Sequence, residues 1–264
     1  MNILTFDIEE WFHILDNDST KSEIEWSNFE YRLDSNMDII FEMLDGKDQK
    51  ATFFVLGWVA REFPHIVKKI HELGFEIATH SDRHQLAYNQ TRKEFAADLD
   101  CSIKSIEDLT GVKVRTYRAP GFSIKEDNKW AFEELIKQGI EIDCSVFPAK
   151  RSHGGFERYG HSEPSVININ DASIKELPIN FSNIAKSLGI EANKVQKSNE
   201  LVRALEEARK NSYSTLIEVS VDPEIRVPGY ESWWNVPVAE VSEMPSVDEA
   251  RAEYEKRLKD EREF

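Results

Sequence analysis

The chain has 264 residues, of which 40% are hydrophobic, and its formal net charge at pH 7 is −16. This length can bury one large core or two small ones. The negative charge argues against nucleic acids and anionic membranes as partners, because both attract basic patches. No apolar run reaches the ~20 residues of a membrane helix, and acidic residues interrupt the N-terminal apolar run. We therefore expect no transmembrane segment, no signal peptide and a cytoplasmic location.

The first part of the chain alternates between strand-like and helix-like segments. Helical apolar spacing follows Pro64 as far as Gly74, and Thr91 and Glu94 form a capping-box pattern at the start of a second helix that ends at Gly111. A third helix is predicted over 130–137. Short β-rich runs predict strands over 2–6, 51–56, 75–79, 114–117 and 140–142. This alternation predicts a parallel α/β architecture.

A second αβαβ pattern follows residue 178. It predicts a helix over 181–188, a strand over 190–195, a helix capped by Ser198 and reaching about residue 210, and a strand over 215–221. The charged run over 248–263 follows Ser246 and Glu249, which match a capping box, and this predicts a solvated helical tail.

Polar clusters lie at the carboxyl ends of the predicted strands of the first part. The segments are TFDIEEWF from Thr5, THSDRH from Thr79, YRAPGF from Tyr117 and EIDCSVFP from Glu141. Because the carboxyl ends of parallel barrel strands converge on one face, these segments can form a single site.

The side chains in these clusters suit metal-assisted hydrolysis. His80 and His84 have i, i+4 spacing, so we expect one turn after the strand to place both imidazoles on one side as metal ligands. An acidic side chain would complete the ligand set, a second carboxylate would act as general base, and an arginine would orient that base. The residues that supply these parts are Asp7, Glu9, His80, His84, Arg118 and Asp143.

In order along the chain, the same segments resemble the motifs of the polysaccharide deacetylases, the NodB-homology or carbohydrate esterase family 4 group. The resemblance covers about residues 1–178. It implies a distorted (β/α) barrel, here partial, with a divalent metal that is usually zinc. It also implies removal of acetyl groups from an N-acetylated saccharide.

The resemblance assigns roles residue by residue. Asp7 would be the general base, Arg118 would position it, and Asp143 would support Arg118. His80 and His84 would bind the metal. Ser81 would steady their loop, and the backbone around Gly121 and Phe122, after Pro120, would help form an acetate pocket.

The chain departs from the family pattern at two places. Ile8 occupies the position of the second aspartate of the first motif, so we assign the third metal ligand to Glu9 and keep Glu10 as the alternative. The family also carries a late Leu-x-x-His motif that supplies a general acid. The last histidine of this chain is His161, so we expect activity to be impaired.

Residues 180–264 resemble the extreme C-terminus of thiamine-diphosphate enzymes, closest to the trihydroxycyclohexane-dione hydrolases. The segment PGYESWWNVPVAEVSEMPSV carries this resemblance. The GDG cofactor motif of those enzymes is absent from the sequence, so we expect no thiamine diphosphate. We expect two weakly coupled pieces, 1–178 and 179–264, joined near Pro178. A non-catalytic fusion or truncated remnant is the alternative function.

Each candidate also has a purely structural interpretation. The two histidines could be polar loop residues, and Asp7 or Glu9 could cap a helix. Arg118 and Asp143 could form a structural ion pair. His153 and His161 fit a solvated loop or a substrate groove, and Trp233 and Trp234 fit internal packing or a substrate platform.

Overall fold

The computed structural model describes residues 4–15, 20, 23–46, 49–149, 154–160, 162–187, 189–219 and 251–252. The chain divides into two compact units, residues 1–220 and 221–264. The features predicted for His153, His161, Trp233 and Trp234 lie outside the described residues, as does nearly all of the predicted helical tail. The division near Pro178 stays a prediction about the two pieces of sequence.

A mostly parallel sheet organises the first unit. Its strands are β1 (Thr5–Ile8), β2 (Thr52–Val55), β3 (Glu76–Thr79), β4 (Thr116–Tyr117), β5 (Ile142–Asp143), β6 (Ser165–Ile169) and β7 (Ala172–Glu176). The seven strands lie in the order β1-β2-β3-β4-β5-β7-β6, and only β6 pairs antiparallel with its neighbour. Among the described residues, no strand joins β1 to β6. The sheet is therefore a partial barrel, which confirms the predicted fold class.

Helices pack on this sheet. They are α1 (Glu23–Trp26), α2 (Leu33–Leu44), α3 (Gly57–Glu62), α4 (Pro64–Glu72), α5 (Arg92–Thr110) and α6 (Trp130–Lys137). Pro64 stands at the first position of α4, as predicted. Thr91 and Glu94 form the predicted capping box of α5, and Gly111 ends that helix in the left-handed conformation with φ 69°. No helix within the described ranges is both long and apolar enough to cross a membrane.

The core fixes the register of the sheet. Phe53, Phe54 and Val55 of β2 are fully buried, as β2 lies between two parallel neighbours. Each such side chain contributes about 1.5–3 kcal/mol by leaving water. The register aligns the last residues of successive strands: Ile8, Val55, Thr79, Tyr117, Asp143 and Glu176. The polar segments that follow these strands consequently emerge at one edge.

The αβαβ pattern forms a sheet of its own. It comprises α7 (Phe181–Ser187), β8 (Glu191–Val195), α8 (Ser198–Ala208) and β9 (Thr215–Val219). β8 and β9 pair in parallel as a separate two-stranded sheet, so these strands do not extend the larger sheet. Ser198 is the first helical residue of α8, not its cap. The carboxylate of Glu200 instead accepts the N–H groups of Gln196 and Lys197 before the helix.

Candidate metal centre and active site

Glu9, His80 and His84 form a cluster that can hold a metal ion. One ligand atom from each lies within 4.8 Å of the others, and Nε2 of His84 is 3.1 Å from Oε2 of Glu9. Zinc bound tetrahedrally at ~2.0–2.1 Å separates its ligand atoms by about 3.3 Å. The donor types therefore suit a zinc-like ion, and the distance between the Glu9 and His84 ligand atoms is close to that expected for two ligands of one ion.

The loop after β3 brings the two histidines together without a helical turn. The expected single turn is wrong, because Ser81 and His84 both have left-handed backbone conformations, with φ 75° and 54°. Two such residues reverse the chain instead of coiling it. Oγ of Ser81 accepts the N–H of His84 at 3.0 Å, which closes the loop, and the imidazole centroids of His80 and His84 lie 5.2 Å apart.

The hydrogen bonds of His80 orient it for metal binding. Its Nδ1 is 2.8 Å from the carbonyl oxygen of Arg118, which can only accept, so Nδ1 carries the proton. The lone pair of Nε2 is therefore free for a metal, a common arrangement for metal-binding imidazoles. Burial lowers the pKa of His80, and the charge of Arg118 contributes in the same direction. Burial also lowers the pKa of His84 to about 2, so both rings are in the neutral, ligating form.

Glu9 and Glu10 take different places. Glu9 belongs to the metal cluster, and burial together with the charge of Asp7 raises its pKa to about 8. A cation bound at this position would stabilise the charged carboxylate of Glu9 and so offset the effect of burial. Oε1 of Glu10 accepts the N–H groups of Arg32 and Leu33, at 2.7 and 2.8 Å, and so caps α2. The structure thus places Glu9, and not the alternative Glu10, among the candidate ligands.

Arg118 holds Asp7 beside the cluster. Its Nη1 donates to Oδ1 of Asp7 at 2.7 Å and to Oγ1 of Thr5 at 3.2 Å. The guanidinium carbon lies 4.0 Å from the ring centroid of Phe54, so the guanidinium also makes a cation–π contact with that ring. Oδ2 of Asp7 is left 4.0 Å from Nε2 of His80. One carboxylate oxygen is therefore oriented by the arginine, and the other faces the candidate metal ligands.

Asp143 acts on the backbone next to Arg118. Its carboxylate accepts the N–H and the hydroxyl of Ser145, at 3.0 and 2.6 Å, and Oγ of Ser145 accepts the N–H of Ala119 at 2.8 Å. Within the described residues, the ion pairs of Arg118 include Asp7 but not Asp143. The support that the sequence predicts for Arg118 is thus indirect, through Ser145 and the chain after β4.

Glu176 is a buried acid that sequence reasoning missed. It is fully buried at the end of β7, opposite Asp143 in the sheet, and its Oε1 accepts the N–H of Val146 at 3.2 Å. Burial and the neighbouring Asp143 raise the pKa of Glu176 well above its usual value. Burial beside Asp143 thus favours the neutral form of the Glu176 carboxyl group. The only sequence signal was an acidic residue at the end of a strand-like run.

The predicted acetate-pocket residues lie beside Arg118. Pro120–Phe122 form a 3-10 turn, with left-handed φ values of 60° for Gly121 and 53° for Phe122. The ring centroid of Phe122 lies 5.9 Å from the guanidinium carbon of Arg118. Gly154 packs on this turn so closely that a Cβ there would lie 2.3 Å from the carbonyl oxygen of Phe122. A glycine is therefore required at this approach.

His13, the last residue of the 3-10 turn Trp11–His13, also lies beside the cluster. It is buried, with its ring centroid 4.4 Å from Trp26 and 6.2 Å from His84. Its Nδ1 accepts the N–H of Glu10 at 2.9 Å. Burial lowers the pKa of His13 to about 3, so it lines the site as a neutral aromatic ring.

Comparison with known proteins gives a family match and a shared fold. Residues 17–139 match the family model for polysaccharide deacetylases. A solved structure of a Mycobacterium smegmatis protein assigned to the polysaccharide deacetylases superposes with a TM-score of 0.56 at 18% identity, covering 82% of this chain and 74% of that one. At this identity the superposition shows a shared fold. The resemblance predicted from the strand-end motifs is confirmed.

A short segment also matches curated relatives of a different kind. The 3D-(3,5/4)-trihydroxycyclohexane-1,2-dione hydrolase of Clostridium botulinum (strain Alaska E43 / Type E3) is 40% identical over 107 residues, which are 40% of this chain and 16% of that protein. The enzyme of the same name from Bacillus subtilis (strain 168) is 40% identical over 88 residues, 33% of this chain and 14% of that protein. The chain thus spans only about a sixth of the length of the curated relatives it matches, and the predicted second resemblance is confirmed at that extent.

Proposed function

We propose that this protein is a metal-dependent hydrolase that removes acetyl groups from N-acetylated sugars or polysaccharides. The observation that carries the proposal is the convergence of Glu9, His80 and His84 beside an Asp7 carboxylate held by Arg118. The match to the deacetylase family model and the shared fold support the same reaction class. Zinc is the proposed metal, since two imidazoles and one carboxylate are a frequent catalytic zinc set.

The residues around the cluster have separate tasks in this proposal. A bound divalent ion would supply Lewis-acid polarisation of the acetyl carbonyl and make a nearby water easier to deprotonate. Asp7 accepts the proton of the attacking water at Oδ2, the oxygen that faces His80. Arg118 holds Oδ1, so Asp7 cannot rotate away from the water. The turn at Pro120–Phe122, beside Arg118, would line the space for the acetyl methyl group.

Protonation of the leaving amine is the weak step in this proposal. The family's late histidine has no counterpart here, because the sequence contains no histidine after His161. An amine is a poor leaving group without a proton, and a positioned acid contributes about 10²- to 10⁴-fold. We therefore infer slow hydrolysis of N-acetyl sugars and faster hydrolysis of an activated acetate ester, whose leaving group needs no proton.

The experiment measures metal content and acetate release together. Purified protein is loaded with zinc and supplied with N-acetylated chitooligosaccharides, peptidoglycan fragments and 4-nitrophenyl acetate. We expect about one zinc per chain, ester hydrolysis, and slower acetate release from one of the saccharides. The His80→Ala, His84→Ala double variant is the matched control and should lose all of these. Zinc-loaded protein that releases acetate from neither ester nor amide would contradict the proposal and favour the non-catalytic remnant.

A further inference from the structure

The loop that joins the two candidate histidine ligands forms hydrogen bonds with residues of α3 and α5 that are outside the candidate ligand set. The carbonyl oxygens of Ser81 and Asp82 accept the N–H groups of Gly57 and Trp58, at 3.0 and 3.1 Å. These donors are the first two residues of α3, whose N–H groups have no partner inside the helix. The start of α3 therefore fixes the carbonyl side of the loop.

The amide side of the same loop is fixed by α5. The carboxylate of Asp98 accepts the N–H of Asp82 at 2.9 Å and the N–H of Arg83 at 3.3 Å, one on each oxygen. Burial raises the pKa of Asp98 to about 6, and the charge of Asp82 acts in the same direction. A carboxylate that costs this much to bury is retained here between two backbone amides that need acceptors.

The side chain of Asp82 completes the arrangement. It is buried, and its two oxygens accept from Nη1 and Nη2 of Arg61 at 2.6 and 3.1 Å, a bidentate pair. Nε of Arg83 lies 3.5 Å from Oδ2 of Asp82 as a second cation. The fit leaves no space for a side chain at residue 57, because a Cβ on Gly57 would lie 2.1 Å from Oδ1 of Asp82.

We propose that Arg61, Asp82 and Asp98 are positioning residues of the metal centre, which hold the His80–His84 loop in its ligating conformation before the metal binds. The left-handed backbone of Ser81 and of His84 is unfavourable for residues with a Cβ and persists only where the surroundings impose it. The three acidic and basic side chains supply that constraint, and none of them is within the metal cluster itself. This inference rests on the proposed metal-dependent function.

The test is zinc affinity, measured by competition with a chromogenic chelator on the folded, full-length protein. Three single variants are used, Arg61→Lys, Asp82→Asn and Asp98→Asn. Arg61→Lys keeps the positive charge but cannot make the bidentate pair. Loss of groups that orient metal ligands usually weakens metal binding by about 10- to 100-fold, and we expect that loss in each variant.

Two controls separate positioning from general stability. Arg115→Met removes an exposed arginine that pairs with Glu141 just before β4, away from the cluster, and should leave zinc affinity unchanged. The double variant Arg61→Lys, Asp82→Asn should have about the same zinc affinity as the single variant of this pair that binds zinc less tightly. The two effects should not add, because both substitutions break the same ion pair. Circular dichroism at the assay temperature restricts the comparison to folded protein.

Each outcome decides the inference. A zinc affinity within about twofold of the parent protein in all three variants would overturn it, because metal ligands that are preorganised by these residues must bind less well without them. Failure of the parent protein itself to bind zinc would instead contradict the proposed function. Unchanged zinc affinity together with lowered thermal stability would show that the three residues stabilise the fold but do not position the metal ligands.

Discussion

Oε2 of Glu9 lies 3.1 Å from Nε2 of His84, while the next residue, Glu10, turns its carboxylate to the first N–H groups of α2. β1 ends at Ile8, so the backbone after it no longer has to alternate its side chains between the two faces of the sheet. A short 3-10 turn begins at Trp11. Two adjacent acids therefore serve a candidate metal site and a helix terminus respectively.

This division predicts opposite effects for the two acids. Glu9→Gln should abolish tight zinc binding, because an amide oxygen is a weaker ligand than a carboxylate, and it should leave the metal-free fold intact. Glu10→Ala should keep the metal ligands but lower the free energy of unfolding by about 0.5–2 kcal/mol, the usual cost of a lost N-terminal cap. Zinc titration and urea unfolding of both variants check this. Loss of zinc from the Glu10 variant alone would reverse the assignment.

A second prediction concerns the histidine pair. The His80→Ala, His84→Ala variant should bind no zinc, since Glu9 alone cannot retain it. His65→Ala is the matched control, because His65 is exposed and pairs with Asp34 on the helical surface. Metal analysis after dialysis gives the result directly. Zinc retained by the double variant would mean that the ligands lie elsewhere in the chain.

Much of the site could be predicted from sequence because it depends on where strands end. His80 and Arg118 directly follow β3 and β4, Asp143 is the last residue of β5, and parallel pairing aligns the ends of these strands. The capping box of Thr91 and Glu94 was equally readable, since its hydrogen bonds are local.

Features that depend on distant partners could not be predicted. The conformation of the His80–His84 loop is imposed by Arg61 and Asp98, which lie on two different helices. The spacing of the histidines alone was compatible with a helical turn. The β6–β7 hairpin was also missed, as was α2, whose N-terminus is capped by Glu10 from 22 residues earlier in the chain.

A third prediction tests the base. Asp7→Asn should bind zinc as the parent protein does, because Asp7 is outside the candidate ligand set. Hydrolysis of 4-nitrophenyl acetate should fall by about 10²- to 10⁴-fold, the usual contribution of a positioned general base. The comparison uses kcat at saturating zinc. An unchanged kcat would exclude Asp7 as the base, and a loss of zinc would assign it to the metal instead.

A fourth prediction concerns the stability of the β8–β9 sheet. Among the described residues, the buried apolar side chains of this sheet and of its helices α7 and α8 are small, namely Ala185, Ala192, Val195 and Ala204. A two-stranded sheet with so little apolar burial is marginally stable, whereas β2 of the larger sheet buries Phe53 and Phe54. Amide hydrogens of β8 and β9 should therefore exchange faster than those of β2 and β3. Hydrogen exchange with mass spectrometry measures this, and equal protection would show that the two sheets unfold as one.

The last prediction uses the pH dependence of stability at Asp98. The pKa of Asp98 is about 6 in the folded protein, because burial disfavours its charge, against a usual value near 3.8. Between these values the folded state binds more protons than the unfolded state, so the free energy of unfolding falls as pH rises from about 4 to about 6. The full difference corresponds to about 3 kcal/mol as an upper limit.

Asp98→Asn removes this titration. Urea unfolding of the metal-free proteins is measured at several values between pH 4.5 and 7.5. As pH rises, the free energy of unfolding of the asparagine variant should increase relative to that of the parent protein. The subtraction cancels the other acids, including Glu9. The same variant should bind zinc more weakly, since asparagine offers one acceptor oxygen where Asp98 offers one each to the N–H groups of Asp82 and Arg83. A difference that stays constant across this range would show that Asp98 has the same pKa in the folded and the unfolded protein. That result would contradict the conclusion that burial raises the pKa of Asp98.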